Sequence, residues 1–230
     1  AENRALSIAD WDASAGLVVP EQLEGRACYG GLDLSSTQDI TAFVQVFPND
    51  DGTCEVLSHF WTPAETLAER SRRDQVDYQH WVDLGVMTAT PGPVIDTRQV
   101  ARDVIALAER FDIREIAYDR WGASETRLNL EDAGLTVVDM GQGYASMSAP
   151  TKGMLDLVMS RKLRHGGHPV LRWMADNLVV RTDPSGNMKP DKEKSRQKID
   201  GMAALIMALD RAMRNGHGQS VYETEGLLVI

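Results

Sequence analysis

The sequence predicts an α/β fold in which a mixed central β-sheet carries helices on both of its faces. Three apolar runs rich in β-forming residues come first, namely ACYGGLDL, ITAFVQVF and CEVLSHFW, and short turn segments separate them. Further along, a strand–helix–strand pattern runs from EIAYD to LTVVDM. The short turns favour antiparallel pairing of the first three strands, and the crossover helix favours parallel pairing of the later ones.

The first three strands are predicted to form an antiparallel meander. The Asn49–Gly52 segment, NDDG, is a typical hairpin turn between the second and third strands. Within the first strand, alternation places Leu32 and Leu34 on one face of the sheet and Asp33 on the other. We therefore expect Asp33 to point away from the face that the two leucines cover.

Helices are predicted after the third strand. Residues 62–73 open on Thr-Pro-Ala-Glu, which supplies an N-cap, a proline at the first helical position and an acidic residue in the first turn. A second helical stretch covers residues 76–84. Residues 96–111 form an amphipathic helix that Asp96 or Thr97 caps, since its apolar residues recur at helical spacing.

The second half of the chain continues the α/β pattern. Two short apolar runs, residues 115–119 and 135–140, are predicted as buried strands. A helix over residues 121–134 joins them and ends at Gly134. The remaining predicted elements are helices over residues 150–163, 169–176 and about 194–214, with a hairpin turn at residues 183–186.

Length and composition indicate one globular domain. The chain has 230 residues, of which 43% are hydrophobic and 25% charged, close to the globular average. We assign residues 1–25 to a linker or arm, residues 26–215 to the folded domain and residues 216–230 to a carboxyl-terminal tail. No run approaches the roughly 18 apolar residues of a membrane span, and residues 1–12 lack the basic-then-apolar order of a signal peptide. We expect a soluble intracellular protein that makes no membrane contact.

The charge is uneven along the chain. The net charge is −10, which argues against a protein that simply coats DNA. Residues 151–198 nevertheless contain 11 Lys and Arg against 5 Asp and Glu, while the rest of the chain is strongly acidic. A local basic segment in an acidic domain is typical of a protein that meets a polyanion on one face. The two cysteines, Cys28 and Cys54, lack metal-ligand spacing and are interpreted as reduced, buried thiols.

Three carboxylates stand out by position. Asp33 lies in the first strand, Asp119 at the carboxyl end of a later strand, and Asp200 beside the buried stripe of the last helix. Converging carboxylates in such places are costly unless a cation lies between them. Oxygen ligands suit Mg²⁺ or Mn²⁺, and two such ions about 4 Å apart can hydrolyse a phosphodiester. The pattern therefore predicts a two-ion hydrolytic site.

Several other residues are candidates for a part in the site, and each could also have a purely structural role. Asp39 and Ser35 could assist the metal site or phosphate binding, or serve only in a turn. His165 and His168 suit a loop role or a DNA contact better than a metal site. A charge run close to Asp200 is either a solvated face or a DNA-guiding surface. Its members are Lys189, Lys192, Lys194, Arg196 and Lys198.

Five segments together resemble the carboxyl-terminal nuclease domain of the large terminase subunits of tailed bacteriophages. The segments are YGGLDLSSTQDITAF, IAYDRWGA, GQGYASMSAPTK, LRHGGHPVLRWMADN and KIDGMAALIMALDRA, in the family's order. The resemblance implies a ribonuclease H-like fold and cutting of double-stranded DNA with two divalent ions. It also implies metal-binding acids on the first strand, on a later strand end and on the last helix, which match Asp33, Asp119 and Asp200.

The resemblance carries further expectations about the whole protein. It implies an endonuclease that cuts concatemeric viral DNA at the start and end of capsid filling, in the host cytoplasm, with the small terminase subunit and the portal as partners. Large terminases also carry an ATPase motor. This chain has no GxxxxGK[ST] motif, so we expect no ATPase activity and interpret residues 1–25 as the connection to a missing motor. The mechanistic hypothesis is in-line attack of water, with Asp33 bridging two ions that Asp119 and Asp200 hold from either side.

Three alternatives stay open. A phosphotransferase of the actin and sugar-kinase type also carries a GLDLSST-like phosphate turn, although it requires two such domains. A non-catalytic module could dock on the portal or grip DNA with structural acids, which the acidic net charge favours. A resolvase or integrase would share the fold and the metals but prefer branched or end substrates.

Overall fold

The computed structural model describes residues 6–34, 40–119, 124–195 and 197–215. The strands are β1 (Ala27–Asp33), β2 (Thr41–Pro48), β3 (Cys54–Pro63), β4 (Thr88–Thr90), β5 (Asp112–Asp119), β6 (Val137–Met140), β7 (Leu163–Arg164), β8 (Val180–Thr182) and β9 (Met188–Pro190). The helices are α1 (Ile8–Ala13), α2 (Leu67–Asp74), α3 (Tyr78–Asp83), α4 (Thr97–Arg110), α5 (Ser124–Asp132), α6 (Tyr144–Met159), α7 (Pro169–Asn177) and α8 (Asp200–Asn215).

The central sheet is mixed, as predicted. Its strand order is β4-β3-β2-β1-β5-β6, and β7 pairs with the other end of β3. The β1, β2 and β3 strands are antiparallel, whereas β5 pairs parallel with both β1 and β6. Strands β8 and β9 form a separate hairpin. The antiparallel meander and the parallel crossover unit therefore join through β1.

Helices cover both faces of this sheet. Along β2, Val44 and Val46 face the core shared with α6, α7 and α8, while Phe43 and Phe47 face the core shared with α4. Such alternation with both faces buried is what a central strand between two helical layers requires. The predicted architecture is thus confirmed on both faces.

Helix α8 lies directly on β1 because Gly31 leaves room for it. A Cβ atom added to Gly31 would lie 1.8 Å from the carbonyl oxygen of Ala204. No side chain fits between the strand and the helix at this point, so only glycine allows the contact. This close approach sets the position of the whole helix relative to the end of β1.

The predicted helix over residues 62–73 is wrong in its first turn. Strand β3 continues through Pro63, and α2 begins only at Leu67. The reason is a short parallel pairing of residues 61–63 with β4, which the sequence did not predict. The Ala64 N–H, expected inside the helix, donates instead to the carbonyl oxygen of Thr90. Strand pairing has overridden a good local capping signal.

Two further helix boundaries differ from the prediction. Helix α8 begins at Asp200 rather than near residue 194. The reason is a turn at residues 191–194, in which the side chain of Asp191 accepts hydrogen bonds from the backbone of Glu193 and Lys194. Helix α6 begins at Tyr144 and contains Pro150, at which we predicted the helix to start. In contrast, the cap of α4 is as predicted, since the side chain of Asp96 accepts from two backbone N–H groups of the first turn.

The described part of the predicted linker, residues 6–25, is packed against the domain. Trp11 on α1 is fully buried and stacks on the ring of His165, with 4.0 Å between the ring centroids. Leu23 is buried in the core on the α4 side of the sheet. The spacing of apolar residues in this segment is only weakly periodic, so the sequence did not predict that the segment packs against the domain. The predicted tail, residues 216–230, lies outside the described residues.

Two smaller expectations concern thiols and membranes. Cys28 and Cys54 are free and buried, as the interpretation of reduced thiols requires. In the described ranges, none of the helices combines the length and the apolarity that crossing a membrane demands.

Candidate active site

Asp33 and Asp119 end two neighbouring parallel strands. Asp33 is the last residue of β1 and Asp119 the last residue of β5, and the register pairs Leu32 with Tyr118 just before them. Leu32 and Tyr118 both face the α4 side of the sheet. Alternation therefore directs both aspartates to the α8 side, at the carboxyl edge where ligands of α/β sheets lie.

Asp200 reaches the same edge from the helix above. It is the first residue of α8, one helical turn before Ala204, whose carbonyl oxygen lies over Gly31. The contact at Gly31 thus brings the start of the helix over the end of β1. A carboxylate at a helix amino terminus is also stabilised by the helix dipole. Both Asp33 and Asp200 are buried.

The ammonium group of Lys192 lies between these acids. Its Nζ donates to Asp33 Oδ2 at 2.7 Å and lies 3.6 Å from Asp200 Oδ1. The side chains of Asp33 and Asp200 are only 6% and 12% exposed, whereas that of Lys192 is 48% exposed. The lysine therefore enters the acid cluster from the solvent side.

The electrostatics of Lys192 reflect three acids. Burial by itself lowers the pKa of the ammonium, but Asp33, Asp200 and Asp119 outweigh it, so the net pKa is raised above its usual value. The lysine stays charged at neutral pH. The charges of all three predicted acids thus act on this ammonium, which lies 2.7 Å from Asp33 and 3.6 Å from Asp200. Their role as metal ligands stays a prediction.

The acids fit a divalent cation in chemistry, although they do not form a closed cage. Among the described residues, no three Asp, Glu, His or Cys side chains are close enough to hold a metal ion by themselves. The Lys192 ammonium already occupies a cation position between two of the acids. Carboxylate oxygens are the ligands that Mg²⁺ and Mn²⁺ prefer, so the donor set suits these ions.

A capped turn presents Lys192 to the acids. The Asp191 Oδ1 accepts from the backbone N–H groups of Glu193 and Lys194, both at 3.2 Å. Its Oδ2 accepts from Arg181 Nε at 2.8 Å, which ties the turn to the β8–β9 hairpin. Asp191 therefore shapes this turn, a role that only the folded hairpin reveals.

A cleft of about 270 Å³ opens beside Asp119. Arg181, Lys189 and Lys192 line it together with Gln142 and Asp191. The Lys189 Nζ lies 5.3 Å from the ring centroid of Tyr144, so its ammonium makes a cation–π contact. The cleft thus carries as many acidic as basic side chains, and Asp191 and Glu193 pair with Arg181. Lys189 brings a positive charge to its rim, where a phosphate group could be attracted.

The predicted basic run does not form one continuous face. Lys189 and Lys192 line the cleft, and Lys194 is exposed on the capped turn. Lys198 instead lies close enough to Asp74, at the end of α2, to help lower the pKa of that carboxyl group, although burial opposes the shift. Arg196 lies outside the described residues. Sequence proximity alone could not separate these positions.

The two predicted histidines lie elsewhere. The ring of His165 is 3% exposed, and its Nε2 is 2.8 Å from the carbonyl oxygen of Trp11, so the expectation of a DNA contact is corrected to a core role. His168 lies at the amino terminus of α7 against Phe60, beside β3 rather than in the cleft. Burial lowers the pKa of His168 to about 4, which leaves the ring uncharged at neutral pH.

Two auxiliary candidates cannot be located. Ser35 and Asp39 belong to the segment that follows β1 and lie outside the described residues. Their predicted roles at the metal site stay predictions.

Known proteins similar to this chain include terminase large subunits. A family model for the terminase large subunit, endonuclease domain, matches residues 1–216. The chain is 39% identical over 189 residues to the terminase large subunit of Enterobacteria phage HK97, covering 81% of this chain and 38% of that protein. The crystal structure of the HK97 bacteriophage large terminase matches with a TM-score of 0.85 and 36% identity, over 92% of this chain and 44% of that one.

A more distant structure carries a metal. The large terminase nuclease of thermophilic phage G20c with bound magnesium matches with a TM-score of 0.57 and 14% identity, over 89% of this chain and 96% of that one. At this identity the likeness concerns the fold alone, and the fold is ribonuclease H-like, as predicted. The present chain spans less than half the length of the HK97 protein that it matches.

Proposed function

This chain belongs to the family of terminase large subunit endonuclease domains, and from that premise we propose that it cuts double-stranded DNA by metal-dependent hydrolysis of the phosphodiester bond. The observation that carries the proposal is that Asp33 and Asp200 share one cation, the ammonium of Lys192, at the edge of the sheet where Asp119 ends the neighbouring strand. Two buried carboxylates, one at a strand end and one at a helix start, have no evident structural need to face each other there.

The three aspartates would hold the metal, which we propose to be two ions of Mg²⁺ or Mn²⁺. Each acid lies on a strand or helix that is packed into the core, so its position is fixed before any substrate arrives. The chemistry that bound divalent ions supply is activation of the attacking water and stabilisation of the leaving oxygen.

The protein's own contribution is to guide DNA and to place the acids. Lys189 borders the cleft next to Asp119, where it would attract a phosphate backbone without reading its sequence. Burial of Asp33 and Asp200 keeps water from screening their charges, which strengthens cation binding. Because the guiding residues are few and the net charge is −10, we expect weak binding of DNA by this domain alone.

The biological setting is also a proposal. We propose that the substrate is concatemeric viral DNA, cut in the host cytoplasm at the start and end of capsid filling. An ATPase motor, the small terminase subunit and the portal would be its partners. The HK97 relative is more than twice as long as the matched region, which leaves room for such a motor in that protein.

One observation favours a second function, a docking module whose acids are structural. Lys192 already neutralises part of the acid cluster, so part of the charge of these acids is balanced without any metal. In that case the domain would grip DNA or the portal and would not cut. Cleavage assays separate the two functions directly.

The deciding experiment is nicking and linearisation of supercoiled plasmid with EDTA, Mg²⁺ or Mn²⁺. We expect metal-dependent cutting by the wild type and at least a hundredfold loss in Asp33→Asn and Asp200→Asn, because each removes a ligand charge. Asp83→Asn, at an exposed position of α3, is the matched control and should cut normally. Unchanged cutting by a folded Asp33→Asn variant contradicts the proposal. Absence of cutting with either metal, in a folded wild type that binds DNA, favours the docking function.

A further inference from the structure

We propose that Lys192 is a resident cation of the acid site, which holds the carboxylates together while no metal is bound and must leave before a divalent ion can enter. The inference rests on the proposed function, since it takes Asp33, Asp119 and Asp200 as the metal ligands. It adds a competition between a side chain and the metal, built into the turn before α8. The lysine thereby sets the metal concentration at which the site fills.

The competition follows from shared oxygen atoms. The Lys192 Nζ contacts Asp33 Oδ2 at 2.7 Å and lies 3.6 Å from Asp200 Oδ1. A divalent ion held by the same two carboxylates would lie within a few ångströms of the ammonium. The ammonium occupies the carboxylate oxygens that such an ion would need, and repulsion between the two positive charges adds to the cost of holding both. The two cations therefore compete for the same oxygens.

The lysine can leave without unfolding the protein. Its side chain is 48% exposed, so about half of it already faces solvent. The backbone of its turn is held independently, by Asp191 through Arg181 and through the N–H groups of Glu193 and Lys194. Rotation about the side-chain bonds of a flexible lysine is enough to vacate the position.

The same geometry makes Lys192 important to the metal-free state. Asp33 and Asp200 are both buried, and two buried carboxylates that lose their common cation repel each other. Removing the charge of Lys192 should therefore destabilise the metal-free protein. It should also strengthen metal binding. In the wild type a metal binds only after the Lys192 ammonium has moved away from the acids, and this requirement lowers the apparent affinity. Without the ammonium the requirement disappears.

The first test is calorimetric titration of the folded protein with Mn²⁺, comparing the wild type with Lys192→Gln and Lys192→Arg. We expect Lys192→Gln to bind Mn²⁺ about tenfold more tightly or better, while Lys192→Arg, which keeps the charge, stays close to wild type. Lys194→Gln, two residues along on the same turn, removes a charge that faces solvent and serves as the control. In EDTA, Lys192→Gln should melt at a lower temperature than the wild type, and saturating Mn²⁺ should remove the difference.

The second test needs no variant and stays informative if Lys192→Gln does not fold. Lysines of the wild type are acylated with a limiting amount of reagent, in EDTA and in Mg²⁺, and the modified sites are quantified by mass spectrometry. We expect labelling of Lys192 to rise severalfold when Mg²⁺ is present, while labelling of Lys194 is unchanged. A rise confined to Lys192 supports displacement of its ammonium by the metal.

The outcomes distinguish this inference from the proposed function. Equal or weaker Mn²⁺ binding by a folded Lys192→Gln variant overturns the competition and leaves the metal site standing. Labelling of Lys192 that is unchanged or reduced by Mg²⁺ overturns it as well. Failure of the wild type and of every variant to bind Mn²⁺ overturns both, because there is then no metal site for the lysine to guard.

Discussion

Gly31 on β1 and Ala204 on α8 are in direct contact, backbone against backbone. A methyl group at position 31 would lie 1.8 Å from the Ala204 carbonyl oxygen, far inside van der Waals contact. This contact places the start of α8, and with it Asp200, over the end of β1. The absence of a side chain on Gly31 therefore determines whether Asp200 can lie next to Asp33.

Substitution of Gly31 by Ala tests this relationship. We expect a loss of about 3 kcal/mol or more in the free energy of unfolding, since the methyl group must push α8 off the strand. Urea denaturation measures the loss. Gly143→Ala is the control, because a Cβ there meets no atom within 4 Å, and we expect it to cost under about 1 kcal/mol. Equal stability of Gly31→Ala and wild type would contradict the packing described.

The amino-terminal segment offers a second prediction. Trp11 is fully buried against His165, so Trp11→Ala should cost about 3–5 kcal/mol through the cavity it leaves. Thermal and chemical denaturation would both record the loss. Leu17, which is 84% exposed in the same segment, provides the control, and Leu17→Ala should change stability by less than about 0.5 kcal/mol. Similar effects of the two changes would mean that the segment does not contribute to the domain.

A third prediction concerns acid. Burial alone would raise the pKa of Asp191. The hydrogen bonds from Arg181, Lys194 and Glu193 lower it by a larger amount, so the net pKa is below its ordinary value. The stabilisation by this carboxylate is present above the ordinary pKa and is lost as the pH falls through the lowered one. Asp191→Asn should therefore cost about 1–3 kcal/mol at pH 7. The difference from wild type, followed by denaturation from pH 7 to pH 2, should shrink below about pH 4.

A fourth prediction concerns His59 on β3. Burial lowers the pKa of His59 from its ordinary value of 6.5 to about 4, and the neighbouring Arg110 and His168 add to the shift. Below pH 6.5 the unfolded chain therefore binds a proton at His59 that the folded protein does not bind. As a result, the free energy of unfolding falls as the pH is lowered to about 4. At pH 5 this amounts to about 2 kcal/mol.

The matching variant is His59→Gln, which cannot take up a proton and retains a donor toward Gln45. Its free energy of unfolding should depend less steeply on pH between 6.5 and 4 than that of the wild type. Urea titrations at pH 7 and pH 5 measure the slope. Identical slopes in the two proteins would contradict the role of His59.

The fifth prediction tests the proposed DNA surface. Lys189→Gln should weaken binding of a fluorescent duplex and reduce the dependence of log Kd on log salt by about one unit, because one phosphate contact is lost. Anisotropy titrations at several salt concentrations give both quantities. Lys162→Gln, an exposed lysine outside the cleft, should leave them unchanged. Equal effects of the two substitutions would indicate that the cleft is not where DNA binds.

Local sequence patterns determined the layers of this fold and the placing of its acids on them. Alternation around Leu32 predicted the face that Asp33 occupies, and the apolar run before Asp119 predicted a strand that ends there. The cap at Asp96 predicted the start of α4. Each of these features depends on residues within a turn or a strand of one another, which is the range over which periodicity and capping operate.

The tertiary structure alone decided which distant residues meet. Lys192 was one of five basic residues in a run, and nothing nearby marks it as the partner of Asp33, 159 residues away. In the same way, pairing with β4 replaced the predicted start of α2, and packing against Trp11 buried His165. Such contacts depend on the packing of whole elements and on the space that residues such as Gly31 leave. Local sequence signals carry no information about that packing, since the partners become neighbours only when the sheet and α8 are assembled.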